Sequence, residues 1–356
     1  MMAHSDAHTK LIRSMMRPYE SPHHAVVAFL LKDREVTYFR SGPQISEAQH
    51  EDWIFEIASI TKVFAAILLC KLVEEGKIDP MAPVREMSEV LADVPDWITP
   101  ERLTAHTSGL PNYYVPLWRA IFRTKPDGPY ADFSREDLLA WFRQRGDRSA
   151  PKVHRHHYSN LGVGLLGEAM ALMEGQSFPD LLAAKITGPL GLKDTTCRLS
   201  GDQERRFAQP RETSGKAVSP WIFQSLAAAG CLRSSAQDLV SFAKVVIRAL
   251  QTPQTVLERA IARSSIPILG LGRRGALVPT AQCSGWLKVT MDQQVPGYVF
   301  HNGGTAGSSC ALYISPGRQT AFGILSNNGV AGNLWGATKM NCSKPLEKAH
   351  VLLALV

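Results

Sequence analysis

Two different periods of apolar residues run along the chain. Near the start, His24–Leu31 is an apolar, β-branched run and Glu35–Arg40 a second one. The polar Lys32-Asp33-Arg34 lies between them, so a hairpin is predicted. Over Ala58–Glu75 the spacing changes. Val63, Ala66, Ile67, Cys70 and Val73 recur at steps of three and four, the period of a helix, and Gly76 is placed to stop it. Three more helices follow. Arg135–Arg145 begins after Ser134, with Asp137 completing the cap and Gly146 at the far end. Leu161–Glu174 closes at Gly175, and a third helix starts at Ser235 with Asp238 and runs to about Leu250. Towards the C-terminus the pattern becomes strand-like again, over Tyr298–His301, Ser308–Ile314 and Gln319–Ser326. The turn residues Ser315-Pro316-Gly317-Arg318 join the last two. Pro345–Val356 is expected to form a final helix.

Strands at both ends and helices in the centre predict an α/β protein of the α+β type. Its sheet would be mainly antiparallel, built from both termini and flanked by helices, with an inserted all-helical domain. The expected division is a discontinuous sheet domain, residues 19–75 and 275–356, and a mainly helical domain, residues 76–274, with the functional site at their interface.

The 356 residues are 45% hydrophobic and 20% charged, which excludes disorder and low-complexity architecture. The longest apolar run, Val63–Cys70, falls far short of the about 18 residues a membrane span needs. The net charge of +7 sets 39 basic residues against 32 acidic ones spread along the chain. The one compact basic cluster, Lys152 with His154, Arg155, His156 and His157, depends on histidines that are mostly neutral at pH 7, and no nucleic-acid fold signature accompanies it. Neither a nucleic acid nor a membrane is therefore expected as a partner, and no pattern specifies an oligomeric state. The six cysteines form no CxxC pair and are expected as buried free thiols. Met1–Arg17 has no apolar stretch of about 7–15 residues and does not read as a secretory leader. Both features point to the cytoplasm.

The chemistry concentrates in three segments. Ser59-Ile60-Thr61-Lys62 opens the first long helix. A serine hydroxyl needs a base within reach, and a lysine three residues on stands on the same helix face. The helix N-terminus adds free N–H groups that favour developing negative charge. Ser149–Lys152 and Ser241–Lys244 share the spacing, but the first contains a proline in a loop-like stretch and the second lies inside a helix. The second segment is Tyr158-Ser159-Asn160, just before a helix. The third is His301-Asn302-Gly303-Gly304, where glycines on a strand allow a ligand close to the backbone and a backbone N–H to face an oxyanion.

The order Ser-x-x-Lys, Tyr-x-Asn, His-x-Gly resembles the class C β-lactamase superfamily, which includes D-alanyl-D-alanine carboxypeptidases, family VIII esterases and some acyltransferases. Leu103–Pro111, Gly188–Leu192 and Ala229–Leu239 resemble further blocks of that family, and the likeness runs from about residue 20 to 330. The resemblance implies Ser59 as nucleophile, Lys62 as its hydrogen-bonded partner, and Tyr158 as base in acylation and acid toward the leaving group. It implies that Asn160 contacts the substrate amide or orients Lys62, that His301 supplies a hydrogen bond or charge beside Tyr158, and that Gly303 and Gly304 shape the oxyanion hole, with the N–H groups of Ser59 and Gly304 as donors. His301-Asn302-Gly303 departs from the Lys-Thr-Gly of a dedicated β-lactamase, which weakens the grip on a substrate carboxylate and favours an esterase-like activity. Gly-x-Ser-x-Gly is absent, which excludes an α/β-hydrolase nucleophile elbow.

The expected function is thus a serine hydrolase working through a Ser59 acyl-enzyme on a small-molecule ester, amide or lactam. The alternatives are an acyltransferase, a true β-lactamase or D-Ala-D-Ala peptidase with the same site, or a non-catalytic scaffold, against which the intact Ser59, Lys62 and Tyr158 speak. No carboxylate or cysteine joins His154, His156 and His157 at ligand spacing, so neither metal nor cofactor is expected. His106 reads as a hydrogen-bonding residue of its turn. Trp286 and Tyr298 are equally suited to a substrate pocket or to core packing.

Overall fold

The hairpin forms where the pattern places it. In a computed structural model of the chain, β1 (Val26–Lys32) and β2 (Glu35–Ser41) pair antiparallel, with Lys32 opposite Glu35. The turn residues Asp33 and Arg34 have φ of 49° and 74°, as a two-residue type I′ connection requires. The structure describes all residues except 1, 116–127, 146–149, 151–154, 275–277, 290–296, 332–347, 350–351 and 354–356.

The main sheet has eight strands in the order β2-β1-β10-β9-β8-β7-β6-β5, and every neighbouring pair is antiparallel. The first segment of the chain contributes β1 and β2. The last contributes β5 (Leu269–Arg274), β6 (Val278–Gln282), β7 (Leu287–Val289), β8 (Tyr298–Gly304), β9 (Ser309–Ser315) and β10 (Thr320–Ser326). β1 lies beside β10, so strands from the two ends of the sequence pair one strand in from the β2 edge of the sheet. A two-stranded sheet, β3 (Ile54–Glu56) with β4 (Arg233–Ser235), stands apart.

Both faces of the main sheet are covered, which is why β1 is apolar at successive positions rather than alternating. Val26 and Ala28 pack with Ile12, Met15 and Met16 of α1 (Met2–Met16) and with Leu352 and Leu353. Val27, Phe29 and Leu31 face the larger core, which includes α2 (Thr61–Glu74), α3 (Arg135–Arg143), α4 (Asn160–Met173), α5 (Ala236–Gln251) and α6 (Val256–Ser264). α2 is buried without a break from Thr61 to Cys70, and that stretch is apolar all round apart from Thr61 and Lys62. α3 carries the full capping box at Ser134 and Asp137, while Gly146 lies outside the described residues. Of the helix expected over Pro345–Val356, residues 348, 349, 352 and 353 are described, as helical, and the rest lie outside. No helix among the described residues is long and apolar enough to cross a membrane.

The cysteines correct the reading of the sequence. Cys197 and Cys231 form a disulfide, with Cα atoms 5.2 Å apart. The bridge pairing of Thr196 with Arg233 brings these two distant segments face to face, and no local spacing announces such a contact. This removes one of the two observations behind the cytoplasmic expectation. Cys70, Cys283 and Cys310 are buried free thiols, as expected, and Cys342 lies outside the described residues.

Candidate active site

Ser59 lies in the 3-10 turn Ala58–Ile60 that feeds α2. Ala58 before it has φ of 42°, a left-handed conformation that a residue with a Cβ adopts only when its surroundings impose it. One helical turn on, Lys62 is 1% exposed and donates to Ser59 Oγ at 3.0 Å and to the carbonyl of Ala229 at 2.6 Å. Tyr158 closes the group from another segment, its hydroxyl donating to the same Ser59 Oγ at 2.8 Å. The ammonium also stands 5.0 Å from the centre of the Tyr158 ring. The Ala229 carbonyl is held in place by the packing of its turn on α4, where a Cβ on Gly167 would collide with Ala228.

Burial sets the protonation states. It pulls the Lys62 amine down to about 7, so a substantial fraction is neutral at physiological pH. It pushes the Tyr158 phenol well above its ordinary range despite the bond to Ser59, so the phenol stays protonated. His301 is buried on β8, and its Nδ1 is 2.6 Å from the carbonyl oxygen of Asn302. Burial first, and then the neighbouring Lys62, bring it down to about 4. His301 is therefore a neutral imidazole, which removes the charge expected from it, and the hydrogen bond it makes runs to the carbonyl of Asn302.

β8 passes directly against the nucleophile turn. A Cβ on Gly303 would stand 2.7 Å from the backbone nitrogen of Ser59 and 2.9 Å from the carbonyl oxygen of Ile57, a space only glycine leaves open. Gly304 follows at the end of the strand, opposite Ser309. Beneath them Cys310 Sγ donates to the Ile57 carbonyl at 3.1 Å.

A buried carboxylate ties these elements together. Glu56, three residues before Ser59, accepts from the backbone N–H of Trp221 at 2.7 Å and from the Thr305 hydroxyl at 2.6 Å. Arg233 grips the carbonyl of the same Trp221 at 3.2 Å. Burial raises the Glu56 carboxyl above its usual range, opposed by the Thr305 bond and the Arg233 charge. Trp221 in turn belongs to an aromatic group with Tyr113, Tyr130 and Phe223, whose rings meet at 5.2–6.4 Å. The tip of Phe223 and the backbone of Ala58 both flank Gly230.

The structure thus brings Ser59, Lys62, Tyr158, His301, Gly303 and Gly304 together. Asn160 is the first residue of α4, after the capping Ser159; its backbone N–H donates to Asn112 Oδ1 at 3.2 Å, and the hydrogen bonds of Lys62 run to Ser59 and Ala229 instead of to Asn160. Trp286 and Tyr298 belong to the core, Trp286 stacked on Phe242 and Tyr298 on the opposite sheet face with α1. Ser241 donates to the Gln237 carbonyl on α5 and Lys244 is exposed, while Ser149 and Lys152 lie outside the described residues. His156 Nε2 is 3.0 Å from Gln282 Oε1 and His157 Nδ1 is 3.1 Å from the Leu110 carbonyl oxygen; His154 lies outside. Glu56, the Ala229 carbonyl and the aromatic group carry no sequence signal that reasoning on motifs could use.

Comparison with known proteins identifies the family. The Beta-lactamase family profile matches residues 10–333. The chain belongs to the Beta-lactamase family. Among curated Beta-lactamase relatives, the D-alanyl-D-alanine-carboxypeptidase/endopeptidase AmpH of Escherichia coli (strain K12) is 32% identical over 180 residues, which cover 48% of this chain and 44% of AmpH. A Beta-lactamase of Providencia stuartii is 25% identical, over 69% of this chain and 60% of the relative. Esterase EstB of Burkholderia gladioli is 26% identical, over 52% and 49%. The chain thus spans about half the length of the curated relatives it matches. Solved structures superpose over nearly everything. A class C β-lactamase from Rhodobacter sphaeroides gives a TM-score of 0.75 at 20% identity, covering 98% of this chain and 99% of that one. A Beta-Lactamase/D-Alanine Carboxypeptidase from Pseudomonas syringae gives 0.76 at 20%, covering 97% and 99%. The antiparallel sheet flanked by helices is the fold of these proteins, and the chain is a member of the β-lactamase-like serine hydrolase superfamily.

Proposed function

We propose that the protein is a serine hydrolase that cleaves small esters through an acyl-enzyme on Ser59, in preference to β-lactams. Neutral Lys62 takes the Ser59 proton as Oγ attacks the carbonyl carbon. The tetrahedral oxyanion lies against the backbone N–H groups of Ser59 and Gly304, each such donor being worth about 3 kcal/mol of barrier. The Tyr158 phenol, which is protonated and bonded to Oγ, gives its proton to the departing alcohol and is reprotonated from Lys62. Water then attacks the ester of Ser59 by the same steps in reverse. Lys62 rather than Tyr158 acts as the base because burial moves the lysine toward neutrality and the tyrosine away from ionisation.

The observation that carries the preference for esters is His301. It stands where a lysine would hold the carboxylate of a β-lactam, and it is buried and uncharged at pH 7. The test compares kcat/KM for short p-nitrophenyl esters, a chromogenic cephalosporin and a D-Ala-D-Ala peptide. The ester is expected to lead by at least about tenfold; a lead for either of the others would overturn the preference.

A further inference from the structure

The segment that delivers Tyr158, residues 155–159, has no regular secondary structure of its own. A hydroxyl on such a segment keeps a 2.8 Å bond to Ser59 only if the backbone on either side of it is fixed. His106 fixes both sides. Its carbonyl accepts from the N–H of His157 at 2.7 Å, and its Nδ1 accepts from the N–H of Ser159 at 3.2 Å. Between these two bonds its ring lies against the Tyr158 ring, with centroids 4.5 Å apart. The geometry is specific to this residue in a second way: His106 has φ of 57° and is 2% exposed, a buried left-handed residue. Only a residue that tolerates this backbone and carries a ring nitrogen at this point can make all three contacts.

We infer that His106 is the positioning residue of Tyr158, holding it on both sides through a neutral, Nε2-protonated imidazole. An imidazole that accepts from the Ser159 N–H has a lone pair on Nδ1, so any proton must sit on Nε2. A doubly protonated ring would break the clasp. The groups facing it all oppose that state: burial first, then Lys62, His156, His301 and His157 keep its titration well below the ordinary histidine range. The clasp therefore persists through neutral pH.

The inference rests on the Ser59 chemistry proposed above, and one experiment separates the two. His106→Ala and His106→Asn are titrated with a fluorophosphonate, and p-nitrophenyl butyrate turnover is expressed per labelled site. Loss of the clasp should lower kcat by about 10- to 100-fold in His106→Ala, with KM changed less than about twofold. His106→Asn should recover at least about tenfold of that loss, since asparagine tolerates the left-handed backbone and offers an acceptor oxygen. Normal turnover per site in His106→Ala, or equal losses in both variants, would overturn the inference; absence of label on Ser59 in the wild-type protein would instead overturn the reading of the site. A second measurement needs no variant. Nitrogen-15 NMR of the wild-type protein at pH 7 should show His106 as the Nε2–H tautomer, and an Nδ1-protonated ring would overturn the inference.

Discussion

Gly303 and the backbone nitrogen of Ser59 lie so close that a Cβ added to the glycine would stand 2.7 Å from that nitrogen. Strand β8 and the nucleophile turn are therefore fitted to each other through backbone alone. Gly303→Ala should displace the strand from the turn and spoil the donors facing the oxyanion, lowering kcat by about 100-fold and, through the forced backbone shift, lowering the melting temperature as well. Turnover of a p-nitrophenyl ester, with circular dichroism as the control for folding, checks it. A fully active Gly303→Ala would show that the close approach is dispensable.

The lysine gives two pH signatures. If neutral Lys62 is the base, kcat/KM for an activated ester should rise with pH through about 7 and then level off. An acid limb near 4 or 5 would assign the base to another group. Stability should respond as well. The amine titrates near its ordinary 10.5 in the unfolded chain and near 7 in the fold, so between these values the unfolded chain holds the extra proton and stability rises with pH. Lys62→Met removes that dependence. It should stabilise the fold most below about pH 7, and the gain should fade as pH approaches 10.5, measured by urea unfolding across the range.

Position 301 sets the choice between substrates. His301→Lys places a cation where the neutral imidazole stands, and should raise the cephalosporin-to-ester ratio of kcat/KM by about tenfold through a charge-assisted bond to the carboxylate. An unchanged ratio in a folded variant would separate His301 from carboxylate recognition.

The disulfide predicts a stability effect. Cys197 and Cys231 are 34 residues apart, and closing a loop of that size contributes about 3–4 kcal/mol on chain-entropy grounds. Cys231→Ser should lose an amount of this order in urea unfolding, and reductant should destabilise the wild-type protein but not the variant. Identical midpoints with and without reductant would count against the bridge.

What could be read from the residues in advance divides along physical lines. Ser59 and Lys62 are legible because a helix fixes the relation of residues three apart, and the hairpin and β8–β10 are legible because turn chemistry marks their ends. β5 and β6 are not legible in the pattern: Leu269–Arg274 mixes glycine with arginine and becomes a strand only through its pairing with Val278–Gln282. α1 is not legible because its one apolar edge, Ile12, Met15 and Met16, makes sense only against Val26 and Ala28 of β1. Within the site, the Ala229 carbonyl is backbone and has no residue signature. Glu56 is a lone carboxylate whose partners, Trp221 and Thr305, lie far along the chain. Trp286 and Tyr298 illustrate the converse: an aromatic residue near a motif is placed by packing, and both went to the core.

The central claim is that Ser59, gripped by Lys62 and Tyr158, is the nucleophile. Peptide mapping after a fluorophosphonate reaction tests it most directly. A single covalent adduct on Ser59, abolished in Ser59→Ala together with ester turnover, is the predicted result. An adduct on any other residue, or near wild-type turnover by Ser59→Ala, would contradict the account.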